Sequence, residues 1–151
     1  MTFHSGEIAV QVHAGVREEA ERVCAFVHDK IKPAASEFLQ AQQMAIASTL
    51  SAEGSVWASL LTGFPGFVQV VGEQTIRIQA IVSPTDPLHQ NLPAQEQIGL
   101  LIIDLVNRRR LRLNGNAKLQ SEGTIEVEIK QAFFNCPKYI QTRFLETASV
   151  T

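Results

Sequence analysis

Between residues 16 and 31, apolar side chains recur at Val16, Ala20, Val23, Cys24, Val27 and Ile31. That spacing marks one face of a helix. Glu18, Glu19 and Glu21 stand near its start and Lys30 and Lys32 at its end, each sign where the helix dipole favours it. Pro33 stops this helix and suits the first turn of a second, over 34–42. From Met44 onward the pattern is that of strands. Residues 44–50 and 56–62 pair as a hairpin about the turn Ser51-Ala-Glu-Gly-Ser55. Gly63-Phe-Pro-Gly66 breaks the chain, and strands follow over 67–71 and 75–82. Pro84, Pro87 and Pro93 make 83–97 a loop with one helical turn at most. Residues 98–105 form a nearly unbroken apolar strand, which places it centrally.

The last hairpin joins 110–119 to 124–133 through a turn at 120–123. Strict alternation puts Arg110, Arg112, Asn114, Asn116 and Lys118 on one face. Folding about the turn then sets Lys118 beside Glu126 and Asn114 beside Lys130, while Leu111, Leu113, Val127 and Ile129 point inward. About six or seven short strands after N-terminal helices predict a mainly β fold, a small antiparallel barrel.

Composition narrows the class. Of 151 residues, 45% are hydrophobic and 19% charged, enough for a packed core, and the expectation is one domain over 1–151. The net charge of −2 argues against a general nucleic-acid binder. No apolar run reaches bilayer length, and the start Met-Thr-Phe-His-Ser-Gly-Glu lacks the pattern of a signal peptide. Cys24 and Cys136 form no Cys-x-x-Cys pair. A cytoplasmic protein with reduced thiols, no nucleic acid and no membrane is therefore expected. His4, His13, His28 and His89 lack metal-ligand spacing. Neither a phosphate-cradling glycine loop nor a nucleophile elbow is present.

Two stretches carry candidate chemistry. Residues 108–117 read Arg-Arg-Arg-Leu-Arg-Leu-Asn-Gly-Asn-Ala. A charged strand end is the plainer explanation; the functional one needs a guanidinium aimed into a cleft, where its fork can hold a phosphate or a carbonyl. Arg110 and Arg112 share a face and Arg109 opposes them, so the run can supply a site only in part. The second stretch is Phe133-Phe-Asn-Cys-Pro-Lys-Tyr-Ile140. It is either a tight turn or a strand exit that carries Lys138 and Tyr139 to the rim of a cleft. Tyr139 and Trp57 are the sole tyrosine and tryptophan, and each can stack on a flat ring or simply pack.

Four segments together resemble the pyridoxamine 5′-phosphate oxidase-like flavoproteins: the opening Phe3-His-Ser-Gly-Glu-Ile-Ala-Val-Gln11 with Ala14-Gly15, the hairpin over 45–62, Gly99–Asp104 running into 109–117, and Phe134-Asn-Cys-Pro-Lys-Tyr-Ile140. The resemblance implies an FMN-binding split barrel, a homodimer with flavin at the subunit interface, and redox chemistry on a small molecule. It makes Trp57, Ser59, Leu60, Leu61 and Thr62 candidates for flavin contact on one strand, and Arg109, Arg110 and Arg112 on the later hairpin. Lys138 and Tyr139 are rim candidates. No catalytic acid or base is implied, and no metal. Trp57 and Thr62 occupy the places where the oxidases proper carry arginine and lysine, and their Ser-Arg-Lys phosphate turn is replaced by Ser83-Pro-Thr-Asp-Pro87. Pyridoxal phosphate synthesis is therefore not expected. FMN, FAD and a deazaflavin remain open as cofactors. The rival reading is a carrier or sensor that holds flavin or haem without turnover.

Overall fold

The computed structural model describes residues 3–120 and 122–145. Ser121, inside the expected 120–123 turn, lies outside them. The elements are α1 (Ser5–His13), α2 (Arg17–Cys24), α3 (Pro33–Gln40), β1 (Met44–Leu50), β2 (Val56–Thr62), β3 (Val68–Gly72), β4 (Thr75–Ile78), α4 (Leu88–Ala94), β5 (Gln97–Asp104), β6 (Arg109–Leu119) and β7 (Ile125–Asn135).

All seven strands form one antiparallel sheet in the order β2-β1-β5-β6-β7-β4-β3. The sheet curls until a bridge between Thr62 and Ile81 brings its two ends together. This is the mainly β antiparallel barrel that the pattern predicts, in the split form that the resemblance implies. The strand expected over 75–82 thus divides: β4 ends at Ile78, and Ile81 crosses to β2. The core fills the barrel with Leu61, Ile76, Ile78, Leu100, Leu113 and Ile129, all at most 2% exposed. α3 closes one end with Phe38 and Leu39. No helix is long and apolar enough to cross a membrane among the described residues.

The helical opening differs from the expectation. The helix foreseen over 16–31 ends at Cys24. His28 instead exchanges backbone hydrogen bonds with Ala132, at 3.0 and 2.6 Å, and Ile31 donates to Glu73 O. Pairing with strands wins here over helical periodicity; Ile31 packs against the core from the extended segment, while the start of the stripe stays outside it, with Val16 43% and Val23 63% exposed. α1 has no counterpart among the predicted elements. Its start is fixed by a capping box: His4 Nδ1 accepts from Gly6 and Glu7 N–H, and the Glu7 carboxylate accepts from His4 N–H.

The proline-rich segment also holds more structure than foreseen. α4 is seven residues long, with Pro93 near its end. Three polar contacts seat it on the first hairpin. Asn91 Nδ2 donates to Thr49 Oγ1 and Gln95 Nε2 to Ser51 O, each at 2.9 Å, and Ser59 Oγ donates to Asp86 Oδ1 at 2.6 Å.

The β6–β7 register begins as expected, with Lys118 opposite Glu126, but Asn114 faces Gln131 and not Lys130. A bulge on β7 leaves Lys130 as the extra residue. The inward set accordingly runs Ile125, Val127, Ile129 and then Ala132, while Leu111 and Leu113 hold their expected places.

Candidate functional site

The outer face of the sheet carries the candidate site. Cross-strand register sets Leu60, Ile46, Leu101, Arg112 and Phe133 in one row, and Ala58, Ser48, Gly99, Asn114 and Gln131 in the next. The two rows form a shallow trough. Its floor drops at Gly99, where a Cβ would come within 2.6 Å of Ser48 Oγ and 3.4 Å of Asn114 Oδ1. Two adjoining depressions, about 370 and 480 Å³, share Ser48, Gly99 and Asn114. Asn114 Nδ2 donates to Gln131 Oε1 at 2.9 Å, which holds the polar row flat.

The arginine run splits as alternation predicts. Its start is set by the β5–β6 turn, where Asp104 accepts from Asn107 N and Nδ2 and Arg108 takes φ +53°. Arg109 turns toward the barrel end. Its Cζ lies 5.1 Å from the Phe38 ring centroid and 4.9 Å from that of Phe134. Arg110 and Arg112 face the trough side. Arg112 reaches over Phe133 at 6.0 Å and makes no ion pair among the described residues. Arg110 Nε is buried without a hydrogen-bond partner, and so is Asn135 Oδ1. These two residues are direct neighbours across β6 and β7.

The β2 candidates divide between the faces. Leu60 is exposed on the outer face and Thr62 half-buried. Leu61 is wholly enclosed in the core, and Ser59 points inward to Asp86. Only the backbone of these two is left to meet an outer-face ligand. Trp57, 47% exposed, stands opposite Thr49 at the hairpin end. Lys138 and Tyr139 lie beyond β7. Tyr139 is 88% exposed with φ +72°, and Lys138 Nζ sits 5.3 Å from its ring. Within the single chain, then, the structure brings Leu60, Arg110 and Arg112 to one face. It places Arg109, Ser59 and Leu61 elsewhere, and leaves Lys138 and Tyr139 as a projecting pair.

Sequence reasoning missed Gly99 and Asn135. A glycine inside the apolar run Ile98-Gly-Leu-Leu-Ile-Ile is the signal for the first, because an interior strand glycine marks a close approach. Asn135 stood inside a quoted motif, but its orphaned oxygen needs the β6 register to be seen. No group of three His, Cys, Asp or Glu residues able to hold a metal occurs among the described residues.

The architecture is that of an antiparallel split barrel. The chain belongs to the pyridoxamine 5′-phosphate oxidase family, whose sequence pattern it matches over residues 31–144. Solved structures agree on the fold. HupZ from Group A Streptococcus superposes with a TM-score of 0.55 at 14% identity, over 68% of this chain and 93% of that one. A histidine-to-alanine variant of the same protein gives 0.56 at 14% identity over 70% and 99%. A Lactobacillus delbrueckii protein, provisionally described as a pyridoxamine 5′-phosphate oxidase, gives 0.54 at 11% identity over 70% and 95%. No curated protein sequence matches.

Proposed function

We propose that two copies of this chain pair through their outer sheet faces and hold FMN in the seam, and that the assembly is an oxidoreductase acting on a small molecule. The observation that carries this reading is the pair of buried orphans, Arg110 Nε and Asn135 Oδ1. One is a donor without an acceptor and the other an acceptor without a donor. Both atoms are covered within the single chain and lie beside the two depressions, so a small side-chain movement exposes them to the pyrimidine edge of a flavin, whose alternating carbonyl oxygens and N–H complement both. A polar group left unpaired in a buried place costs about 1–3 kcal/mol, so a ligand that satisfies two of them is well matched.

The trough fits a planar ring in other respects. Gly99 lowers its floor, and Ile46, Leu60 and Leu101 give it apolar walls. When bound, the flavin supplies transfer of an electron pair or hydride. The chain's part is to orient the ring and set the charge around it. Arg110 and Arg112 place positive charge on the trough side, which favours the reduced, anionic flavin.

The pairing has its own support. β5 is apolar on both faces: Ile98, Leu100 and Ile102 fill the core, while Leu101 and Ile103 remain half-buried outside. Such strands are usual where both faces of a sheet are covered. Together with Leu60 and Val56, 56% and 72% exposed, they leave an apolar surface that a second copy can cover.

Purified protein should be yellow and show the flavin bands, and the mass of the copurified ligand distinguishes FMN from FAD and a deazaflavin. Arg110→Ala should weaken FMN binding by about 1–3 kcal/mol. A colourless protein that takes up no added FMN overturns the proposal. The carrier reading is favoured by one feature, the uncharged Trp57 and Thr62 at the places where the oxidases carry cations. A bound flavin that no nicotinamide donor reduces would assign the chain to it.

A further inference from the structure

Residues 25–32 leave the end of α2 as a strap across β7. The strap is tied down at several points. His28 exchanges backbone bonds with Ala132, Ile31 donates to Glu73 O, Gln74 Nε2 donates to Asp29 O, and Lys30 Nζ pairs with the Glu73 carboxylate at 2.6 Å. Between the strap, the first turn of α3 and the β6–β7 hairpin lies a cavity of about 300 Å³. That is the lower end of the size range of small-molecule sites, roughly 300–1,000 Å³.

Its lining is unusual in two ways. The interior is apolar: Leu111, Ala132 and Ala35 are each at most 4% exposed, and the rings of Phe134 and Phe26 flank them, 41% and 70% exposed. The polar groups are all basic, namely His28, Lys30 and Lys32, with no carboxylate in the lining. Glu73 neutralises Lys30 from outside the cavity. Lys32 has no ion-pair partner among the described residues. α3, which begins beside it, carries neither a side-chain cap nor an acidic residue in its first turn, so that end adds to the positive potential.

We infer that this cavity is a second ligand site, which adjoins the outer-face trough only at Phe133, and that it takes a small aromatic monocarboxylate. The ring lies among Leu111, Ala132 and Phe134, and the carboxylate meets Lys32. One cation without an ion-pair partner matches a single negative charge. The apolar interior favours a ring, and its volume admits a benzoate-sized molecule. An uncharged amide of the same shape leaves the ammonium unmatched and loses the charge-assisted bond. The site does not depend on the flavin reading, because none of its basic groups lies in the trough.

The test uses the full chain as purified, with benzoate as ligand and benzamide as its uncharged counterpart, followed by backbone amide NMR shifts. Benzoate should shift the amides of Ala34, Ala35 and Ala132 saturably, and benzamide should bind at least tenfold more weakly. Lys32→Gln should reduce benzoate affinity tenfold or more. Ala34→Leu, at an exposed helical position on the cavity wall, should block binding while the fold is retained. The inference is overturned if benzoate leaves these amides unmoved, if benzamide binds equally well, or if Lys32→Gln changes nothing. Shifts confined to Ser48, Gly99 and Arg112 would also overturn it, by assigning the anion to the trough. Flavin uptake, read by absorbance on the same samples, reports on the other site independently.

Discussion

Two glycines in neighbouring strands show how differently one added methyl group can act. At Gly115, a Cβ would lie 2.0 Å from Glu128 O and 3.2 Å from Ile129 Cα. Both are backbone atoms held by the bulge, so nothing can rotate away. Gly115→Ala should therefore destabilise the protein by about 2–4 kcal/mol, measured by urea denaturation. At Gly99 the nearest atom is the Ser48 hydroxyl, the end of a side chain that can turn. Gly99→Ala should stay folded, within ~1 kcal/mol of the parent, yet raise the trough floor and weaken FMN uptake. Equal stability losses in the two variants would contradict this account of the bulge. The bulge also shows where reading the sequence stops at this scale. Strict alternation placed Leu111, Leu113, Val127 and Ile129 correctly, because each side chain reports its own face. It set Asn114 against Lys130, because the extra residue sits on the partner strand and leaves no mark on the alternation of β6. Gly115 was the available clue, as a strand glycine often accompanies a bulge.

At the scale of elements, strands were read better than helices. β1, β2 and the β6–β7 hairpin follow from alternation and turn residues, since both are local signals. The helix expected over 16–31 fails from Ala25 onward because the Val27 and Ile31 positions belong to a strap whose partners, Ala132 and Glu73, are distant in sequence. α1 went unread because histidine is an unusual N-cap, and it caps here only through the lone pair on Nδ1. α1 and α2 bury no side chain, so the cap matters most for α1. His4→Ala should remove about 1 kcal/mol of local helix stability. It should raise amide exchange in α1 and leave the unfolding temperature of the barrel unchanged. Asn at the same position, which caps by the same geometry, should restore protection. The strap gives a pH expectation. The hydrogen bond to Glu73 and its charge hold the Lys30 ammonium above its ordinary value of 10.5. A raised lysine contributes fully below that value and loses its contribution as pH rises through the folded one. Exchange protection at Ala132 should therefore be flat from neutral to mildly alkaline pH and fall only in strong alkali. Loss of protection near neutrality would show that the backbone bridge, and not the Lys30 pair, is the weak point.

For the whole molecule, the family was legible because segments in the right order carry it, three of the four lying within the matched residues 31–144 and the opening one before them, whereas the candidate site was legible only in part. A strand pattern tells which face a side chain takes. It does not tell what covers that face, and the trough spans β2 to β7, about four strand spacings or ~19 Å of sheet, with one side open. Leu101 is the natural place to test what closes it. The residue sits mid-strand between Ile46 and Arg112 and is half-buried within one protomer. An aspartate there costs the isolated barrel little, because its carboxylate remains hydrated. In a seam between two copies the same carboxylate loses water on both sides of the interface, which disfavours association by several kcal/mol. Leu101→Asp should thus give a folded monomer by light scattering, with the far-ultraviolet spectrum of the parent, and should lose flavin absorbance in step with the loss of dimer. A variant that stays dimeric and yellow would place the interface on another face of the barrel. One that is monomeric yet retains FMN would show that a single trough grips the ring unaided.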